Sequence, residues 1–101
     1  MRHLIREVLR SQRGKAAEIV EVLKTVDQAF AGLGCANGKL DVDHSRPMDT
    51  LVWQCEIESL NQFHTPARGF YANPDEPTVE LLTTANANTV HGSREIYEVI
   101  K

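Results

Sequence analysis

The apolar positions of this chain follow two different periods, and the switches between them lay out the fold. In "HLIREVLRSQ", Ile5, Glu7 and Leu9 fall on one side of an extended chain. Leu4, Arg6, Val8 and Arg10 fall on the other. A helix competes here, because Leu4, Ile5, Val8 and Leu9 also fit helical spacing; the strand is preferred because a turn and a long helix come directly after it. "SQRG" gives that turn, with Gly14 as its flexible point. From Lys15 to about Leu33 the period becomes helical: Ala16, Ile19, Val20, Leu23, Val26 and Phe30 share a stripe. Glu18, Glu21, Lys24, Asp27 and Gln28 take the wet side, and Gly32, Gly34 and Gly38 end the helix and open a loop.

Alternation then returns. In "KLDVDHSRP", Leu40, Val42 and His44 face one way and Lys39, Asp41 and Asp43 the other. Pro47 fixes a turn. In "LVWQCEIES", Leu51, Trp53, Cys55 and Ile57 share one face, and Val52, Gln54, Glu56 and Glu58 share the opposite one. Ser59 is placed to cap a helix that Pro66 limits or kinks. "GFYANPDEP" reads as a loop, 77–86 as a second helical piece, and Arg94–Ile100 as a closing strand. The order strand, helix, strand, strand, helical region, strand is the ferredoxin-like βαββαβ pattern. It predicts a single α+β domain over residues 1–101, with a four-stranded antiparallel sheet and helices on one face. The other face carries Val8, Val52 and Val99, and an apolar sheet face predicts a cover. A second copy related by a two-fold axis is the commonest closed solution, so a homodimer is expected.

Composition narrows the function classes. Net charge is −3 with both signs mixed, which argues against a nucleic-acid partner, whose binding needs a dense basic face. No apolar run approaches the roughly 20 residues that span a bilayer, so no membrane partner is expected. "MRHLIREVLR" lacks the features of a signal peptide, and the isolated Cys35 and Cys55 have no metal-ligand spacing. These features suggest a cytoplasmic protein with free thiols and no bound metal.

"RGKAAEIVEVLK" resembles the entrance to the first helix of dimeric α+β barrel proteins. "LVWQCEIESL" resembles their third strand and "GSREIYEV" their closing strand. The resemblance is nearest to the NIPSNAP-like and antibiotic-biosynthesis-monooxygenase-like barrels, and it spans nearly the whole chain. It implies a dimeric barrel built from two sheets, with a small-molecule ligand. It departs at residues 61–90, where Pro66, Gly69, Pro74 and Pro77 interrupt a helix that such barrels often keep continuous. That segment is either a lid at the pocket mouth or a longer connection.

The chemistry expected from these residues is oxidation or binding of a small hydrophobic or aromatic molecule, in the manner of a cofactor-independent monooxygenase. His44 or Glu56 would accept a proton, and Arg6 would steady an oxyanion. Gln54, Trp53, Asn61, His64 and Tyr97 are the candidate ligand-binding groups. Each has a plainer alternative: Glu56 and Arg6 as a cross-strand ion pair, His44 as a satisfied core histidine, Trp53 and Tyr97 as packing. Two further functions stay open. One is a non-enzymatic ligand-binding or stress-associated dimer. The other is haem binding through His64, near the place where haem-degrading relatives carry an axial histidine.

Overall fold

The computed structural model describes residues 2–43, 45, 48–72 and 75–100. Its elements run β1 (His3–Ser11), α1 (Ala16–Gly32), β2 (Ala36–Val42), β3 (Thr50–Ile57), α2 (Asn61–Ala72), α3 (Glu76–Asn88) and β4 (Thr89–Glu98). The four strands form one antiparallel sheet in the order β2-β3-β1-β4, so the expected βαββαβ α+β architecture is present. The two central strands are those with the densest apolar alternation.

Register decides which side chains meet the helices. Ile5 lies opposite Cys55 and Ile96, and Glu7 lies opposite Trp53 and Arg94. Ile5, Ile19, Leu23, Phe30, Leu51 and Trp53 belong to one buried core between sheet and helices, which Phe63 of α2 joins. The alternate set, Leu4, Arg6 and Val8 with Glu56, Gln54 and Val52 opposite them, points away from the helices. Val8 and Val52 are both buried there as a directly opposed pair, separate from the main core.

Helix ends are closed by local chemistry. Gly34, at φ 93°, takes the left-handed conformation after α1. Its N–H donates to Ala31 O and the Cys35 N–H to Phe30 O, the paired bonds of a Schellman ending. At α2, Ser59 and Gln62 form a capping box: the Asn61 N–H donates to Ser59 Oγ, and Gln62 Oε1 accepts from the Ser59 and Glu58 N–H groups.

Three boundaries differ from the sequence reading. α2 runs past Pro66 to Ala72, so the segment expected to be a loop from Gly69 is helical up to that residue. Proline removes one backbone donor, and the five residues before it supply a capped first turn that carries the helix through. β4 begins at Thr89, directly after α3, and ends at Glu98; its early residues pair with β1 despite the polar, turn-like "NANTVHGS". β2 begins at Ala36 with a bulge before Lys39, and Asn37 there has a φ of 54°.

Candidate functional site

A cavity of about 190 Å³ lies between the sheet and the helices. Its size follows from what the elements contribute. α1 supplies Ile19, Val22, Leu23, Val26 and Phe30; α2 supplies Phe63 and Ala67; α3 supplies Leu82 and Ala85. Small residues on α2 and α3 leave space that larger ones would fill. An apolar cavity of roughly 150 Å³ already holds benzene, so this one has room for a substituted aromatic ring.

The aromatic wall is fixed in place. Phe30 stacks on Phe63 with centroids 5.4 Å apart and tilts against Trp53 at 5.6 Å. Trp53 is fully buried, and its Nε1–H donates to Asp27 Oδ1 at 2.9 Å. That bond needs Gly38: a Cβ there would collide with the Asp27 carboxylate. The absent side chain on β2 thus lets α1 reach the indole.

One polar pair interrupts this lining. Arg94 Nε donates to Glu7 Oε1 at 2.6 Å, across directly opposed positions of β4 and β1. The guanidinium carbon lies 4.6 Å from the Phe63 ring centroid, a cation–π contact. The Glu7 side chain is 18% exposed and that of Arg94 42%, so the pair stands where the cavity opens to water. Sequence reasoning missed both residues as site groups. The usable signal was Glu7 itself, a carboxylate on the same side of β1 as Ile5 and Leu9, which demands a partner.

The candidates read from sequence are distributed differently. Trp53 lines the cavity. Arg6, Gln54, Glu56 and Tyr97 do not: strand alternation puts them on the opposite sheet face. Nor do Arg6 and Glu56 pair with each other. Arg6 pairs with Glu95 at 3.7 Å, while Glu56 contacts Arg2 at 3.4 Å and accepts from Asn37 Nδ2 at 2.6 Å. The reason is register: Glu56 sits opposite Leu4, one pleat away from Arg6. Tyr97 Oη donates to Glu95 Oε2 at 2.6 Å, and this bond holds the phenol above its ordinary pKa. Asn61 is exposed in the first turn of α2. His44 lies outside the described residues.

His64 packs edge-on against Phe63, with centroids 5.6 Å apart, and is not part of the cavity wall. Haem ligation needs an imidazole aimed into an apolar slot. Here the imidazole lies outside the cavity, and the cavity is smaller than the roughly 300–1,000 Å³ of ordinary drug-sized sites. None of the described residues fits as a haem ligand in this cavity. Among the described residues, no group of three or more His, Cys, Asp or Glu could hold a metal ion. Cys35 and Cys55 are buried free thiols, and burial pushes the Cys55 thiol up to about 12. No described helix is long and apolar enough to cross a membrane.

No protein-family model matches the chain, and no curated protein does. Solved structures match it over almost its whole length. A NIPSNAP family protein from Agrobacterium tumefaciens superposes with a TM-score of 0.74 at 12% identity, covering 97% of this chain and 92% of its own. The cofactor-independent oxygenase SnoaB from Streptomyces nogalater gives 0.73 at 13% identity, covering 99% and 94%. A candidate antibiotic biosynthesis monooxygenase from Deinococcus radiodurans gives 0.71 at 18% identity, covering 98% and 93%.

Proposed function

We propose that this chain, which has the ferredoxin-like α+β fold shared by those NIPSNAP and monooxygenase-like structures, binds a small aromatic molecule in the cavity between sheet and helices. One observation carries this reading: apolar walls around a single Glu7–Arg94 pair, which is the balance of lining and orienting groups that a small-ligand site requires. Oxidation of the bound molecule by dioxygen, without a cofactor, is the activity we infer for it. The fold shared with SnoaB supports this step, which rests on analogy of fold. Calorimetric titration with 4-ethylphenol tests the site. The expected result is saturable binding that disappears in Ala67→Phe, with the far-UV circular dichroism spectrum unchanged. Binding that survives this blocked cavity would place the ligand elsewhere. An oxygen electrode then separates the two functions: uptake on adding the phenol supports an oxygenase, and binding without uptake supports a ligand-binding protein.

We also infer that the helix-free sheet face pairs with a second copy of the chain. A folded monomer of this mass exposes about 5,700 Å² by the usual scaling. This chain exposes 6489 Å². The excess fits a thin body, 18 Å in its shortest extent, whose sheet has helices on one side only. The face itself is mixed, with Val8 and Val52 at its centre and the Arg6–Glu95 and Arg2–Glu56 pairs around them. A surface carrying both signs can complement its own two-fold copy.

A further inference from the structure

The polar end of the cavity is a closed ion pair rather than a free cation. Among the described residues, Glu7 and Arg94 are the only charged ones lining it, and the 2.6 Å bond between them uses Arg94 Nε and Glu7 Oε1. Within the same set, the two Nη groups of Arg94 and the Oε2 of Glu7 have no hydrogen-bond partner. The cavity therefore offers a donor and an acceptor side by side, with no net charge.

We propose that Glu7 is a specificity-determining residue: it makes the cavity select uncharged, hydroxyl-bearing molecules over carboxylates. The inference rests on the cavity being the binding site. A hydroxyl both donates and accepts, so it can give its proton to Glu7 Oε2 while accepting from an Arg94 Nη. A carboxylate only accepts. It could take the Arg94 donors only by bringing a second negative charge beside Glu7, whose half-sheltered carboxylate at the cavity mouth is only partly screened by water. An arginine without Glu7 would show the reverse preference, since its paired donors match a carboxylate. The strands hold Glu7 and Arg94 at directly opposed positions, and Phe63 stacks under the guanidinium. Arg94 therefore cannot swing to a carboxylate without giving up both contacts. Gln at position 7 keeps the size and an acceptor for Nε–H, and removes the charge.

The test titrates the full chain, wild type and Glu7→Gln, with 4-ethylphenol and 4-ethylbenzoate by calorimetry at neutral pH. The wild type is expected to bind the phenol at least tenfold more tightly than the benzoate. In Glu7→Gln the benzoate should gain at least tenfold and become the preferred ligand. A wild type that binds the benzoate as tightly as the phenol overturns the proposal and leaves the cavity as a binding site. A wild type that binds neither overturns the cavity reading and this inference with it. An apolar cavity by itself already disfavours a carboxylate, so a folded Glu7→Gln that keeps the wild-type ratio also overturns the proposal; should that variant not fold, Glu7→Ser is read in the same way.

Discussion

At the residue scale, the tightest arrangement is the contact of Gly38, Asp27 and Trp53. A methyl group at Gly38 would occupy the place of the Asp27 carboxylate, which accepts the buried indole N–H. Gly38→Ala is expected to displace that carboxylate and cost about 1–3 kcal/mol, the usual loss when a buried donor is left unmade. Urea unfolding measures the loss. The single tryptophan reports it directly, through emission shifted to the red as the indole gains contact with water. Cysteine chemistry is decided at the same scale. Burial first, and then the neighbouring Cys35, raise the Cys55 thiol from its ordinary 9.0 to about 12. Its neutral form is therefore favoured in the folded state. That contribution is intact below pH 9 and is lost as pH rises through the window from 9 to about 12. Native protein at pH 8 should react with iodoacetamide at Cys55 far more slowly than protein unfolded in urea; equal rates would contradict the burial.

Among elements, α2 shows most clearly what the sequence disclosed. Ser59 was legible as a cap because its side chain competes for backbone donors, and Gln62 completes the box by accepting from two N–H groups. Gln62→Ala should destabilise the protein by about 1 kcal/mol, with faster hydrogen exchange confined to the first turn of α2. What the sequence hid was the length of that helix, since Pro66 normally argues for a stop. Strands were read through their alternation, and the faces of β1 and β3 came out as expected. Which of the two faces borders a cavity was not legible in the strands. Polar residues on central strands suggested a cavity at Arg6, Gln54 and Glu56, whereas the cavity lies behind the alternate residues. Alternation identifies two faces without saying which one the helices cover around a void. The void depends on small residues from α2 and α3, elements far away in sequence.

At the scale of the whole molecule, one helical layer covers one side of the sheet, and the body measures 38 × 35 × 18 Å. Its radius of gyration, 13.5 Å, exceeds the roughly 12.7 Å expected for a compact chain of this length. A second sheet packed on the open face would thicken the body and cover Tyr97, which is 47% exposed on that face opposite Leu4. Native mass spectrometry should find two chains at micromolar concentration. Tyr97→Lys, at an exposed position of that face, should shift the species to one chain with the far-UV circular dichroism spectrum unchanged. A wild type that stays monomeric at that concentration would remove the partner, and the sheet face would then have to be stable in water by itself.

Helix α3 passes into β4 without a single intervening residue. Its last turn is also tied down, because the Gln12 N–H donates to Asn88 O and Gln12 Nε2 to Ala87 O. Such a joint has no slack. Leu82 and Ala85 on α3 face the cavity, and Arg94 comes a few residues later on the strand. A ligand wide enough to push α3 outward would meet the Gln12 bonds before it reached the strand, so the wall made by Leu82 and Ala85 is moored at its far end to the turn that follows β1.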